Sequence, residues 1–258
     1  MSRPIVLVTN DDGVKAPGIR SLAAALEAEW EVWVVAPKAE ASASSQSLSL
    51  KRPLRSRRLR ERVYAVDGTP ADCVHLAVAE LLPERPSLVV SGINRGANVA
   101  EDVFHSGTVG AAREGVFLGV PSVAVSLTMP AASDFTAAAE FSARLAALIL
   151  ERGLPEGTLL NVNVPAGHPS KAAVTVQGRR EPFVEDPRAA DPGAPVVSWF
   201  GELEPGHRRG DVPSDIDALL VGVISVTPLY IDSTHHALVP GLRAWEDALC
   251  DGAGRRLA

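Results

Sequence analysis

Short apolar segments alternate with amphipathic segments along the first two thirds of the chain. The apolar ones are rich in β-branched residues and are typical of buried strands, whereas the others repeat their apolar residues at helical spacing. The predicted strands are 5–9, 31–36, 63–66, 87–91, 122–126 and 159–164, and the predicted helices are 18–29, 70–82, 108–118 and 135–150. This alternation predicts an α/β fold with a doubly wound, mostly parallel sheet and right-handed crossovers.

The pattern changes after about residue 165. Strand-like runs at 174–177 and 196–200 flank a stretch rich in Pro, Gly and charge, and the apolar run 218–226 predicts a final strand before a short helix at 238–249. This part has too few helical crossovers to extend the parallel sheet simply. We therefore expect one domain over 1–258, with a core of about 1–178 and a β-rich C-terminal excursion or arm, about 179–258, that serves oligomerisation.

Composition places the chain among ordinary globular proteins. Of its 258 residues 46% are hydrophobic and 22% are charged, and the formal charge of −6 argues against broad binding to nucleic acid or to an anionic membrane. The basic run 51–62 contains no interleaved aromatic residue, so a solvated loop and edge strand is the favoured interpretation. We expect no stable nucleic-acid partner.

The cysteines and the N-terminus indicate a compartment. Cys73 and Cys250 permit at most one disulfide, Cys73 lies in an apolar helical stretch, and no signal-peptide pattern precedes the first strand. No apolar run approaches the roughly 20 residues that cross a bilayer. The sequence predicts a cytoplasmic protein without a membrane partner.

Two adjacent carboxylates, Asp11 and Asp12, follow the first predicted strand and precede Gly13. In a straight strand they would point to opposite faces, but a turn at Gly13 lets them converge, and a divalent cation would offset their repulsion. An Asp-rich surface turn is the ordinary alternative. The position favours a metal site, because ligands of open parallel sheets collect at the carboxyl ends of the strands.

Three more polar loops follow predicted strands, at 42–47, 91–98 and 105–112. With the acidic pair they supply only oxygen ligands, which suit hard ions such as Mg²⁺, Mn²⁺ or Ca²⁺. The turn Ser106-Gly107-Thr108 opens a helix, where N–H groups and the helix dipole favour phosphate. Each feature alone is weak, since small polar residues before a helix are most often N-caps. Together they indicate metal-assisted phosphate chemistry.

Six segments, spread in order over nearly the whole chain, form a specific pattern. They are Asn10-Asp11-Asp12-Gly13, Asp67-Gly68-Thr69-Pro70, Ser91-Gly92-Ile93-Asn94, Ser106-Gly107-Thr108-Val109, Asn161-Val162-Asn163-Val164-Pro165 and Ser225-Val226-Thr227-Pro228-Leu229. With them the chain closely resembles the SurE family of metal-dependent nucleotidases. The resemblance implies a Rossmann-like fold, hydrolysis of nucleoside 5′- and 3′-monophosphates, a function in stationary-phase survival, and a homodimer or tetramer held by a swapped C-terminal arm.

The resemblance also implies roles for individual residues. The residues that would hold one divalent ion per subunit, Mg²⁺ or Mn²⁺, are Asp11, Asp12, Ser42 and Asn94. The residues that would contact the phosphate are Asn98, Ser106, Gly107 and Thr108. The cation would bind the phosphate and lower the pKa of a bound water, and we expect Asp12, ahead of Asp11, to orient or deprotonate that water. Asn10 would fix the turn or the carboxylates.

Ala43 and His105 are among the positions that depart from the family pattern. Ala43 follows Ser42 where family members often carry Gly, which bears on loop flexibility and substrate range. His105 stands where relatives often have an aromatic residue. A histidine beside the phosphate turn could protonate a leaving alkoxide, although packing or hydrogen bonding in place of the aromatic ring is the favoured interpretation.

Other classes of protein fit less well. A receiver-like signalling domain needs a phosphoacceptor Asp after its third strand, where this chain has Gly92-Ile93-Asn94. Haloacid-dehalogenase-type phosphatases need an Asp-x-Asp nucleophile motif after the first strand, where this chain has Asn10-Asp11-Asp12-Gly13. A non-catalytic nucleotide-binding stress-response module stays open as the alternative function.

Overall fold

The computed structural model describes residues 3–128, 134–180 and 203–249. Its strands are β1 (Ile5–Thr9), β2 (Glu31–Pro37), β3 (Ser56–Arg60), β4 (Val63–Val66), β5 (Leu88–Arg95), β6 (Ser122–Leu127), β7 (Thr158–Val164), β8 (Ala172–Val174), β9 (Arg179–Arg180), β10 (Leu203–Glu204) and β11 (Ile224–Tyr230). Its helices are α1 (Pro17–Leu26), α2 (Pro70–Leu76), α3 (Asp102–His105), α4 (Gly107–Phe117), α5 (Thr136–Arg152), α6 (Asp215–Leu220), α7 (Val239–Leu242) and α8 (Glu246–Leu249).

The main sheet has the order β3-β4-β2-β1-β5-β6-β7-β11-β8. Its six strands from β4 to β7 are parallel, and they follow the Rossmann order 3-2-1-4-5-6. The winding reverses between β1 and β5, so a crevice opens at the carboxyl ends of these two strands. The predicted doubly wound, mostly parallel sheet is confirmed.

Both faces of the central strands are covered by helices. All five residues of β1 are buried, and alternate residues pack on opposite sides. Val6 and Val8 join a core cluster that includes Leu22 of α1, whereas Leu7 joins the cluster that includes Val74 of α2. Strands buried on both faces need continuous apolar runs, which is why these segments were recognisable in the sequence.

The basic run forms the outer edge of the sheet. Strand β3 pairs antiparallel with β4, and all five of its residues are exposed. The expected solvated edge strand is confirmed. Charged side chains on such an edge discourage pairing with another chain.

The last third differs from the sequence expectation. The run 218–226 was predicted to be a strand, but its first part belongs to α6, and β11 begins only at Ile224. As expected, this part does not continue the parallel sheet simply, but it does add strands to the sheet, because β11 pairs antiparallel with β7 and parallel with β8. The strand predicted at 174–177 lies at 172–174 instead, and the one predicted at 196–200 falls outside the described residues. The division at about residue 178 stays a prediction.

The C-terminal helix predicted at 238–249 consists of α7, a 3₁₀ turn (Arg243–Trp245) and α8. Large apolar side chains on it are exposed, among them Leu238, Leu242 and Trp245. Among the helices that the structure describes, none has the length and apolar character required to span a bilayer.

Candidate active site

The turn after β1 is held by Asn10. The buried amide of Asn10 donates from Nδ2 to the carbonyl oxygen of Gly13 (3.1 Å) and accepts at Oδ1 from the N–H of Gly13 (3.2 Å). Gly13 has φ +96°, a conformation that an L side chain rarely adopts. The chain therefore leaves the strand in a fixed turn, and the Asp11 carbonyl accepts from the N–H of Ala41 (2.7 Å) in the loop after β2.

Asp11 lies against the first turn of α4. Its Oδ2 accepts from the N–H of Thr108 (3.1 Å), and its Oδ1 accepts from the Thr108 hydroxyl (2.5 Å). Gly107 makes this approach possible, because a Cβ there would lie 2.9 Å from Cβ of Asp11 and 2.5 Å from Oγ of Ser44. Asp11 is thus buried and oriented by the helix.

A cavity of about 500 Å³ opens at this edge of the sheet. Residues from the loops after β1, β2 and β5 and from the approach to α4 line it. Those that the sequence had already singled out as ligands are Asp11, Asp12, Ser42, Asn94, Asn98 and Ser106. Gly107 and Thr108 are not among the described residues that line the cavity, and both donors of Thr108 face Asp11.

The pKa values of Asp11 and Asp12 are both raised, because nearby groups stabilise their negative charge less than water would. Burial raises the pKa of Asp11. Burial, and after it the charge of Asp11, raises the pKa of Asp12 from 3.8 to about 6. Glu40 adds to both effects, and the N–H of Arg95, which donates to Oδ2 of Asp12 (3.3 Å), opposes the shift at Asp12. Such a pair suits a cation.

The other two expected ligands add neutral oxygen atoms. Asn94 donates from Nδ2 to the carbonyl oxygen of Gly96 (2.9 Å), so its Oδ1 is left to face a ligand. Ser42 donates its hydroxyl to Oε1 of Glu40 (2.7 Å). In the described parts of the chain no group of three or more His, Cys, Asp or Glu side chains is placed to hold a metal. Two carboxylates, a hydroxyl and an amide oxygen nevertheless form a donor set that fits a hard divalent cation.

The end of β5 carries Asn94 into this position. The pairing of β5 with β6 shifts in register between Ser91 and Asn94. Irregularities of this kind re-aim the side chains that follow them and are frequent beside active sites. The regular alternation of a strand would not by itself have predicted where Asn94 points.

Four charged residues at the cavity were missed in the sequence: Glu40, Arg95, Asp102 and Arg180. Arg180 of β9 donates from Nε to Oδ1 of Asp102 (2.9 Å) and from Nη2 to Oδ2 (2.5 Å), and its N–H donates to Oε2 of Glu101 (2.7 Å). The partners are 78 residues apart, so no local motif signals the pair. Arg95 directly follows the motif Ser91-Gly92-Ile93-Asn94, and this position could have drawn attention to it.

His105 is exposed and lines the cavity. Its carbonyl oxygen accepts from the N–H of Ser45 (3.0 Å), which ties the serine-rich loop to the end of α3. This exposure does not favour packing in place of an aromatic ring, and the role of His105 stays a prediction. A location on the cavity wall leaves the imidazole accessible to a ligand.

The fold and the site together define a class: a Rossmann-like α/β protein whose topological switch point holds a cavity of carboxylate, hydroxyl and amide oxygens. Comparison with known proteins narrows this class. The family model described as Survival protein SurE matches residues 6–183. The chain belongs to the SurE family.

Relatives match over nearly their whole length. The chain is 48% identical over 253 residues to the 5′-nucleotidase SurE of Symbiobacterium thermophilum, covering 93% of this chain and 98% of the relative. It is 45% identical over 247 residues to the 5′-nucleotidase SurE of Geobacter metallireducens, covering 94% and 98%. The crystal structure of the SurE protein from Aquifex aeolicus has a TM-score of 0.83 and 38% identity, covering 95% of this chain and all of that one. The resemblance and the fold class are confirmed, and the roles of individual residues stay predictions.

Proposed function

We propose that this protein is a metal-dependent 5′-nucleotidase, a phosphoric monoester hydrolase that releases phosphate from nucleoside 5′- and 3′-monophosphates. The relatives that bear the name 5′-nucleotidase support the reaction class, and they disfavour the non-catalytic nucleotide-binding module. The observation that carries the proposal is the single cavity that Asp11, Asp12, Ser42 and Asn94 line together.

Those four residues would hold one Mg²⁺ or Mn²⁺ per subunit. The raised pKa values of the two carboxyl groups support this, because a cation would relieve both their desolvation and their repulsion. When bound, a divalent cation neutralises charge on the phosphate and lowers the pKa of nearby water.

The two aspartates are suited to different tasks. Asp11 is fixed by two hydrogen bonds from Thr108, which favours a constant orientation as a ligand. Asp12 is half-buried, and its Oδ2 accepts a long hydrogen bond from the N–H of Arg95 (3.3 Å). It is therefore less firmly held than Asp11, and it would be the better placed of the two to orient or deprotonate the attacking water.

The phosphate would be bound by Asn98 and by the start of α4. Ser106 caps this helix by accepting at Oγ from the N–H of Val109 (3.1 Å), so its hydroxyl proton can be donated to a phosphate oxygen. Of the first three N–H groups of α4, those of Thr108 and Val109 bond to side chains, which leaves that of Gly107 for the anion among the described residues. Thr108 would act mainly by holding Asp11.

The C-terminal segment would join two copies of the chain. Exposed apolar side chains lie on α7 and on the residues next to it; they are Leu238, Val239, Leu242 and Trp245. Apolar side chains arranged in this way support a homodimer or tetramer held by the arm. The cytoplasmic location and the lack of a membrane partner stay predictions from the sequence.

Phosphate release from a panel of nucleoside 5′- and 3′-monophosphates tests the proposal. We expect release with Mn²⁺ or Mg²⁺, none with excess chelator, and loss of turnover in Asp12→Asn with the fold retained. Asp67→Asn, an acidic residue of another shared motif that lies away from the cavity, is the matched control. Nucleotide binding without release under any metal would favour the non-catalytic module, and a trapped aspartyl-phosphate would overturn direct attack by water.

A further inference from the structure

Two asparagines lie in the middle of the sheet. Asn161 and Asn163 of β7 are both fully buried, between β6 on one side and β11 on the other. As residues i and i+2 of a strand they point to the same face. A buried amide is costly unless its polar atoms are hydrogen-bonded, so the partners of these two side chains indicate why the fold accepts them.

Their shared partner is the backbone of Asn98. Oδ1 of Asn163 accepts from the Asn98 N–H (2.7 Å), and Nδ2 of Asn163 donates to the Asn98 carbonyl oxygen (3.0 Å). Nδ2 of Asn161 donates to the same carbonyl oxygen (2.8 Å). Both polar groups of this residue's main chain are thus held by side chains of β7, 63 and 65 residues further along the chain.

The side chain of Asn98 is held from the neighbouring strand. Its Nδ2 donates to Oγ of Ser126 in β6 (2.8 Å). The side-chain amide nitrogen carries two hydrogens, so its second N–H and the side-chain oxygen Oδ1 remain for a ligand. Asn98 is 7% exposed and lines the cavity. Four hydrogen bonds from two strands therefore fix a residue that belongs to a loop.

We propose that Asn161 and Asn163 are positioning residues, which hold Asn98 so that its amide is directed at the phosphate of the substrate. This inference rests on the proposed function, in which Asn98 contacts that phosphate. Residues 96–101 contain neither helix nor strand, so the clamp from β7 supplies the rigidity that the loop lacks. Preorganisation of this kind lowers the cost of binding.

The two asparagines contribute unequally. Asn163 makes two of the hydrogen bonds to Asn98, whereas Asn161 makes one, and within the described structure its Oδ1 has no partner. Replacement of Asn163 should therefore weaken phosphate binding more than replacement of Asn161. A merely structural role would give no such order in a binding constant.

Titration of inorganic phosphate into the Mn²⁺-loaded protein measures this directly, without turnover. Asn98→Ala should raise the Kd about 10-fold, the size expected for one hydrogen bond to a charged group. Asn163→Ala should approach that loss, and Asn161→Ala should show a smaller one. Ser225→Ala is the matched control: it is fully buried opposite Asn163 in β11, but its hydroxyl bonds to Thr175 (2.9 Å), so the Kd should not change.

A double variant separates positioning from other effects. If Asn163 acts through the Asn98 amide, Asn98→Ala/Asn163→Ala should bind phosphate no more weakly than Asn98→Ala alone. The inference would be overturned if the Kd of the double variant rose by the product of the two single effects. It would also be overturned if Asn98→Ala raised the Kd and Asn163→Ala left it unchanged. If Asn163→Ala does not fold, the same comparison is made with Asn161→Ala, once in the wild type and once in Asn98→Ala. Absence of nucleotide hydrolysis in the wild type would refute the proposed function, while the phosphate titration would still test the clamp.

Discussion

Replacing Asp12 by Asn should make the metal-free protein more stable while removing its activity. The two effects have one origin, the crowding of negative charge at the carboxyl end of β1. Asp11 lies beside Asp12 and Glu40 lies nearby, and both raise the pKa of Asp12 after the larger effect of burial. Asn keeps the shape of the side chain without its charge. The substitution therefore removes the repulsion and also the proton acceptor.

The magnitude follows from the pKa of Asp12, which is raised from 3.8 to about 6. A difference of this size corresponds to about 3 kcal/mol of folding free energy in the absence of solvent screening. Asp12 is only half-buried, and screening reduces such interactions. We expect a gain of about 1–2 kcal/mol in the free energy of unfolding at neutral pH.

The pH dependence has a definite sign. The folded protein keeps the Asp12 proton up to about pH 6, whereas the unfolded chain releases it near 3.8. Between these values the folded state binds more protons, so its stability rises as the pH falls. The advantage of Asp12→Asn should be complete above pH 6 and should shrink progressively toward pH 3.8. Asp11, whose pKa is also raised by burial, adds to the wild-type trend in the same direction.

Urea unfolding of both proteins in excess chelator, over a series of pH values, measures the difference. Asp67→Asn is the control, since it changes the net charge by the same amount. The pKa of Asp67 is lowered, chiefly by the backbone N–H of Arg55, so its ionised form stabilises the folded protein. That variant should lose stability at neutral pH. The reasoning is refuted if Asp12→Asn is no more stable than the wild type, or if its gain is independent of pH. Adding Mn²⁺ should stabilise the wild type more than the variant.

Three further substitutions test other parts of the site. Gly107→Ala should displace Asp11, since its Cβ would lie 2.9 Å from that of Asp11, and kcat should fall by about 10²-fold in a phosphate-release assay. Ala43→Gly should raise the urea midpoint of unfolding. Ala43 has φ +54°, and a left-handed backbone costs a residue with a Cβ about 1–2 kcal/mol. Relief of this strain exceeds the free energy by which the greater freedom of Gly stabilises the unfolded chain. Asp215→Asn should lower stability by about 1 kcal/mol in the same unfolding assay, because the carboxylate accepts from three backbone N–H groups and an amide supplies only one acceptor oxygen. Burial raises the pKa of Asp215, so removal of the charge offsets part of this loss.

The central sheet could be predicted because its strands are buried on both faces. Such strands must be continuous apolar runs, and β1 with five buried residues is one of them. Local signals also identified the start of α2. Thr69 and Asp72 form a capping box, in which each side chain bonds to the backbone N–H of the other residue.

The error near the C-terminus arose from weighing hydrophobicity above capping. The run 218–226 is apolar enough for a strand, but Ser214 and Asp217 form a capping box that begins α6. Gly222, at φ +72°, then separates this helix from β11. Both signals are local and could have been read from the sequence.

Other features of the site depend on contacts between distant segments. The sequence indicated that the start of α4 binds an anion, but the structure places Asp11 on its Thr108 donors. The pairing of Arg180 with Asp102 joins β9 to α3 across 78 residues. No period or motif encodes such a pair, because it depends on how the elements pack.

The position of β11 has a consequence for synthesis of the chain. Strand β7 has β6 on one side and β11 on the other, so its second edge stays unpaired until β11 has been made, about 60 residues after β7. Pairings between strands far apart in sequence form late, because the long intervening loop must first close. A nascent chain would thus carry Asp11 and Asp12 long before it had a completed sheet around Asn161 and Asn163. The ability to bind phosphate should therefore emerge only after β11 has been made and has paired with β7.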